Sequence, residues 1–352
     1  MHLNKLRKSL KRHELDGLLV SRPENMRYLS AYTGEGLLLV TPEHALLATD
    51  FRYWEQAKRQ SPELELVKMK ARQYVDYLKA LASAAKGVRR IGFESSHVTV
   101  EQQQAMLASK TAEWVAVDGL VETLRTVKTR QEQELVQRAA RISDAALEDL
   151  RTWLKPGLSE RQVAWELEAY MRTHGADDVA FKIIVAAGAN GAEAHHEPGE
   201  RIVQAGEPII VDLGACVEGY RSDITRTFWI GRPSKRFTRI YELVRQAQET
   251  ALASIRAGMS GKQADGLARD VIAEAGFGKR FGHSLGHGVG LAVHEQPFAG
   301  SRSEAPLPAG ATLTVEPGVY LPGWGGVRIE DLVIIGKHGV QLVSRTSKDP
   351  LI

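Results

Sequence analysis

Residues 208–230 read PIIVDLGACVEGYRSDITRTFWI, and residues 312–335 read TLTVEPGVYLPGWGGVRIEDLVII. Each stretch is an apolar strand, a glycine-containing turn and a second strand. Each carries two acids, Asp212 and Asp223 in the first, Glu316 and Glu330 in the second. The spacing between the acids differs in the two stretches, so the echo is weak evidence of duplication. A lone carboxylate in such a run meets a heavy desolvation penalty, which burial normally resolves by neutralising the group. Four acids are tolerated together when they surround cations, and two divalent ions carry the charge that four carboxylates cancel. His287, within GHSLGHGVG (282–290), supplies one imidazole from what reads as a glycine-rich loop, where positive φ and close backbone approach are available. The five residues together read as a dinuclear metal site.

Blander readings exist for single members of this set. Asp223 lies in SDITRTF, where Asp223, Thr225 and Thr227 share one strand face and Ile224, Arg226 and Phe228 the other, as in a half-exposed strand. Asp331 beside Glu330 is compatible with a solvated turn. Asp212 is harder to dismiss, because Ile209, Ile210, Val211 and Leu213 flank it. Ligation rich in carboxylate and poor in imidazole favours a hard ion, Mn²⁺ first, with Co²⁺ and Zn²⁺ as alternatives. Two ions sharing a water lower its pKa towards about 7 and polarise a carbonyl, so amide hydrolysis is the natural reaction.

At 352 residues the chain is expected to form two domains. Hydrophobic residues make up 43% and charged residues 25%, the balance of an ordinary globular protein. A net charge of +3, with bases scattered among acids, gives no reason to expect a nucleic-acid partner. Cys216 is the only cysteine, so no intramolecular disulfide forms, which fits a reducing cytoplasm. The first residues lack the apolar core and cleavage site of a signal peptide, and no stretch reaches the roughly 18–20 apolar residues of a membrane span. A cytoplasmic protein with no membrane partner is expected.

The first 122 residues are expected to form an α/β domain, opened by an amphipathic helix with Leu3, Leu6 and Leu10 on one face. Gly36–Val40 and Ala45–Ala48 read as a hairpin. Residues 123–352 form the second domain, with the polar stretch 123–130 as a linker. Thr129 reads as the cap of a helix to about Trp153, and Ser159 with Gln162 as a capping box for the next. Strands are expected over Phe181–Ala187, Pro208–Ala215 and Ile224–Ile230, and helices over about Lys235–Ala257 and Lys262–Ala275.

The motifs GYRSDITRTF, HSLGHGVGL-x-VHE, VEPGVY and GVRIED, in that order, resemble those of the Xaa-Pro peptidases of the pita-bread fold, a group that includes proline aminopeptidase and prolidase. DGLLVSRPENMRYLSAYTG (16–34) resembles their creatinase-type N-terminal domain, so the resemblance spans nearly the whole chain. It implies an α/β protein with a creatinase-type domain followed by a pita-bread catalytic domain, and a homodimer. It makes Asp212, Asp223, His287, Glu316 and Glu330 the metal ligands, with Glu316 also handling the proton. It assigns His195 and His294 to holding the substrate and the tetrahedral intermediate, His283 and Arg328 to orienting ligands, and Phe181 and Val293 to an apolar proline pocket. In HEQPFAG (294–300) the position where prolidases commonly carry an arginine is Phe298, with Arg302 the nearest base. That departure favours an aminopeptidase acting on the N-terminal Xaa-Pro bond of longer peptides, with strict dipeptidase second. More distant alternatives are a metal-free creatinase-like enzyme and a non-catalytic peptide-binding member, both of which go with degraded ligand sets.

Overall fold

The computed structural model describes residues 2–70 and 73–352, which divide into two compact units, Met1–Arg125 and Thr126–Ile352. The first contains strands β1 Gly17–Val20, β2 Leu37–Val40, β3 Ala45–Asp50, β4 Glu65–Met69, β5 Arg90–Glu94 and β6 Glu113–Val117. They form one mixed sheet in the order β4-β3-β2-β1-β5-β6. Its centre is buried on both faces, which is why LLV and LLLV lack polar alternation. The hairpin expected at 36–48 is present, with Val40 opposite Ala45. The opening helix, α1 His2–Arg12, buries Leu6 and Leu10. Helices α2 Pro23–Ser30, α3 Trp54–Gln60, α4 Tyr74–Ala84, α5 Val100–Ser109 and α6 Leu120–Thr126 complete the set. Residues 123–126, expected in a linker, are instead the last turn of α6. Among the described residues no helix is long and apolar enough to cross a membrane.

The second unit is built twice on one plan. Its first half runs α7 Arg130–Trp153, α8 Glu160–Thr173, β7 Asp178–Val179, β8 Ile184–Ala187, β9 Pro208–Leu213, β10 Ala215–Val217, β11 Tyr220–Arg221 and β12 Ile224–Trp229. The second half runs α9 Lys235–Ser254, α10 Gly261–Glu274, β13 Gly286–Gly288, β14 Glu295–Ala299, β15 Thr312–Val315, β16 Gly318–Leu321, β17 Gly325–Arg328, β18 Asp331–Ile335 and β19 Val340–Leu342. Strand β9 pairs antiparallel with β12 around the small hairpin β10–β11, and β15 pairs with β18 around β16–β17. The helices repeat as well. Both α8 and α10 are 14 residues long and start at a full capping box, Ser159 with Gln162 and Ser260 with Gln263. Gly157 and Gly258, two residues before those caps, hold φ of +101° and +91° in turn, the conformation that lets each helix pair fold back. Each half has its own apolar core, one around Leu150, Leu167 and Ile209, the other around Val244, Ile272 and Leu313. The duplication that the acid spacing alone supported weakly therefore extends to helices, caps and cores.

Candidate metal centre

The paired halves bring the four acids to corresponding places. Asp212 is the penultimate residue of β9, opposite Thr225, and Asp223 immediately precedes β12. Glu316 follows β15 and Glu330 precedes β18, whose first residue pairs with Val315. Close backbone packing sets the first pair: a Cβ on Gly214, between the two acids, would lie 2.1 Å from Ser222 O. His287 sits on the short strand β13, where a loop was expected. None of Gly282, Gly286, Gly288 and Gly290 adopts positive φ; the last three are needed for close approach. A Cβ at 286 would stand 1.8 Å from Thr314 O, and one at 288 would stand 2.3 Å from Gln296 O.

Asp212, Asp223 and Glu330 are buried, each with a carboxylate oxygen within 4.8 Å of the others. Arg328 Nη2 donates to Asp212 Oδ2 at 2.7 Å, and Thr225 Oγ1 donates to Glu330 Oε2 at 2.7 Å. Asp212 Oδ1 and Glu330 Oε1 are buried with no hydrogen-bond partner among the described residues. Two orphaned anionic oxygens in one cluster are costly unless a cation takes them. Burial pushes the Asp223 carboxyl well above the usual range, and the neighbouring Glu330 charge adds to it. Glu330 is pushed well up by burial and then by Glu316, and Asp212 is raised by burial against the pull of Arg328. Such acids fit divalent ions, which supply the missing positive charge.

His287 Nε2 lies 3.3 Å from Glu316 Oε1 and 3.7 Å from Asp223 Oδ2. Burial is the largest single influence on His287 and works to lower its pKa, but the bond and charge of Glu316, the Gly288 carbonyl and the Asp212 charge together outweigh it, and the net shift is upward. Burial likewise opposes ionisation of Glu316, yet His287 holds that carboxyl down at about 2. Burial lowers both His283 and His294. The His294 ring packs edge-on against His287, with centroids 4.2 Å apart.

All eleven residues singled out in the sequence line one cleft of about 650 Å³: Phe181, His195, Asp212, Asp223, His283, His287, Val293, His294, Glu316, Arg328 and Glu330. Phe298 lines it too, whereas Arg302 is exposed and outside the lining. The half-exposed reading of Asp223 fails, because every residue of β12 is buried. The solvated turn at Asp331 fails as well: Asp331 is 1% exposed and bonds the buried Arg226 at 2.8 Å. Sequence reasoning missed Tyr320, whose hydroxyl joins His283 Nε2 and Arg328 Nη1, each at 2.9 Å. Its signal was its place in VEPGVY, four residues after Glu316. Also missed was Thr314, whose hydroxyl donates to Glu316 Oε1 and accepts from the His287 N–H.

The model of metallopeptidase family M24 matches residues 134–337, and that of the creatinase/prolidase N-terminal domain matches residues 2–127. The chain belongs to the M24 metallopeptidases. It is 34% identical to an Xaa-Pro dipeptidase of Pyrococcus horikoshii, over 99% of this chain and 97% of the relative. An Xaa-Pro dipeptidase structure from Bacillus anthracis superimposes with a TM-score of 0.96 at 38% identity, covering 100% of this chain and 99% of that one. An X-Pro aminopeptidase structure from Thermotoga maritima gives 0.90 at 34% identity, covering 98% and 100%. The creatinase-type domain and the pita-bread catalytic domain expected from the motifs are thus borne out, and a metal-dependent hydrolase with them.

Proposed function

We propose that this M24 member is an Xaa-Pro dipeptidase, hydrolysing the bond between an N-terminal residue and proline. The observation that carries a metallopeptidase reading is the buried carboxylate trio with two unpartnered oxygens in the one cleft that also collects four histidines beside His287. The order of the two peptidase readings is reversed from that favoured by the sequence. Full-length similarity to dipeptidases supports the change. There is also a physical reason. The lack of arginine at Phe298 counted against dipeptides, but the cleft lining includes Lys182. Its pairing with Glu197 at 3.2 Å is solvent-exposed and so weak enough to yield to a dipeptide's terminal carboxylate.

Asp212, Asp223, His287, Glu316 and Glu330 would hold two divalent ions, Mn²⁺ before Co²⁺ or Zn²⁺ given four carboxylates and one imidazole. When bound, such ions make water nucleophilic near neutral pH and polarise the scissile carbonyl. Glu316, ionised at neutral pH, accepts the proton of the attacking water and delivers it to the leaving imino nitrogen. That delivery matters for proline, because a tertiary amide nitrogen carries no proton and leaves poorly without one. His195 and His294 donate hydrogen bonds to the oxygen that gains charge in the transition state. Arg328 and His283, joined through Tyr320, keep Asp212 and Glu316 in place. Phe181 and Val293 offer apolar surface to the proline ring. A homodimer in the cytoplasm completes the proposal, supported by the family resemblance and by a single, buried cysteine.

The test compares Mn²⁺-dependent cleavage of Ala-Pro with that of Ala-Pro-Ala. A dipeptidase has a clearly higher kcat/KM for Ala-Pro. The opposite preference restores the aminopeptidase, and cleavage of neither ends the Xaa-Pro reading.

A further inference from the structure

His195 is exposed in the cleft, and its imidazole makes no hydrogen bond among the described residues. Its position is therefore set by its backbone, in the segment between β8 and Gly199. One buried carboxylate grips that segment from end to end. Glu160, the first residue of α8, has a side chain 0% exposed. Its Oε1 accepts from the Ala187 N–H at 2.8 Å and from Asn190 Nδ2 at 2.9 Å. Its Oε2 accepts from His196 Nε2 at 2.8 Å and from the Gly199 N–H at 3.2 Å. The helix start suits a carboxylate, since free N–H groups and the helix dipole favour negative charge there. Four bonds saturate the group, so its burial needs no metal.

We propose that Glu160 and His196 form a clasp that positions His195 over the cleft, and that His196 affects turnover only through that neighbouring imidazole. The inference rests on the substrate-holding role given above to His195. Of the two adjacent histidines, His195 touches substrate and His196 is a positioning residue. Its ring is turned to Glu160, and its side chain is 13% exposed. Every atom that Glu160 grips lies within 187–199, with His195 inside that span. Loss of the His196 bond leaves Oε2 with the Gly199 N–H alone and frees the backbone next to His195.

Five proteins test this: the full chain, His195→Ala, His196→Ala, His196→Gln and the double variant His195→Ala with His196→Ala, each loaded with Mn²⁺ and assayed on Ala-Pro. His196→Ala is expected to lower kcat/KM about 10- to 100-fold, the effect of a small misplacement of a reacting group. Bound Mn²⁺ and melting temperature stay at wild-type values, and His196→Gln, which keeps a donor towards Glu160, recovers most of the loss. In the His195→Ala background, adding His196→Ala changes kcat/KM less than about twofold, because both substitutions act through one group. An equal fold-loss in both backgrounds, or wild-type turnover by His196→Ala, overturns the clasp while leaving the role of His195 intact. Wild-type turnover by His195→Ala overturns both, while cleavage of Ala-Pro by the unsubstituted chain still supports the dipeptidase.

Discussion

Stripping the divalent ions should make stability fall as pH rises from 5 to 8. Four carboxylates, Asp212, Asp223, Glu316 and Glu330, face two cations, Arg328 and His287. About two negative charges are left over when all four acids ionise. At an effective dielectric constant of about 20, two charges 4.8 Å apart repel by roughly 3.5 kcal/mol. Asp212, Asp223 and Glu330 respond with raised pKa values, chiefly through burial. The folded, metal-free protein thus keeps protons that the unfolded chain has already released above about pH 4. Their stabilisation is complete at low pH and is lost as pH climbs through the folded values. His287, raised as well, acts with the same sign above its ordinary value of 6.5. Glu316, lowered to about 2, acts with the opposite sign, but its contribution is already complete above about pH 4.5 and is constant over this range. At about 2–4 °C per kcal/mol for a domain of this size, the loss corresponds to roughly 10 °C in Tm. Calorimetric melts of chelated and Mn²⁺-loaded protein at pH 5 and 8 measure it. The gap between the two forms should be small at pH 5 and wide at pH 8. A gap independent of pH, or one that narrows, refutes the reasoning.

Three substitutions probe the surrounding groups. Glu316→Gln should retain bound metal yet lose about 10²- to 10⁴-fold in kcat, as expected for removal of a proton acceptor; near-normal turnover with full metal content would remove Glu316 from that role. Thr225→Val deletes the donor to Glu330 and the acceptor for Arg328 Nε, and should weaken Mn²⁺ affinity about 10- to 100-fold by calorimetric titration. Gly286→Ala forces a Cβ against the Thr314 carbonyl on the strand beside His287, so a loss of about 1–3 kcal/mol by denaturant melt, with reduced metal content, is expected.

What the sequence made legible was local or costly. Thr129 and Ser159 announced their helices because a capping box is closed within four residues, and both boxes are present. The acids stood out because buried carboxylates need compensation wherever they occur. Distant partners were not legible. Arg226 shares a strand face with Ile224 and Phe228 and gives no sign of its partners, yet its guanidinium reaches Asp331 and the carbonyls of Glu330 and Thr346, more than a hundred positions away. The place of Tyr320 in VEPGVY puts it near Glu316, but the bonds by which it joins His283 to Arg328 depend on elements that only the fold brings together. The positioning of His196 was not legible either, because its partner, Glu160, lies on a helix 36 positions earlier. The glycines around His287 suggested a loop, because close packing and positive φ leave the same residue type in the sequence.

The central claim is that the acids of both repeats jointly hold divalent cations. Anomalous diffraction from crystals grown with Mn²⁺ tests it most directly. Two strong peaks enclosed by Asp212, Asp223, His287, Glu316 and Glu330 are expected. An empty cleft at saturating Mn²⁺, or peaks bound elsewhere, would contradict it.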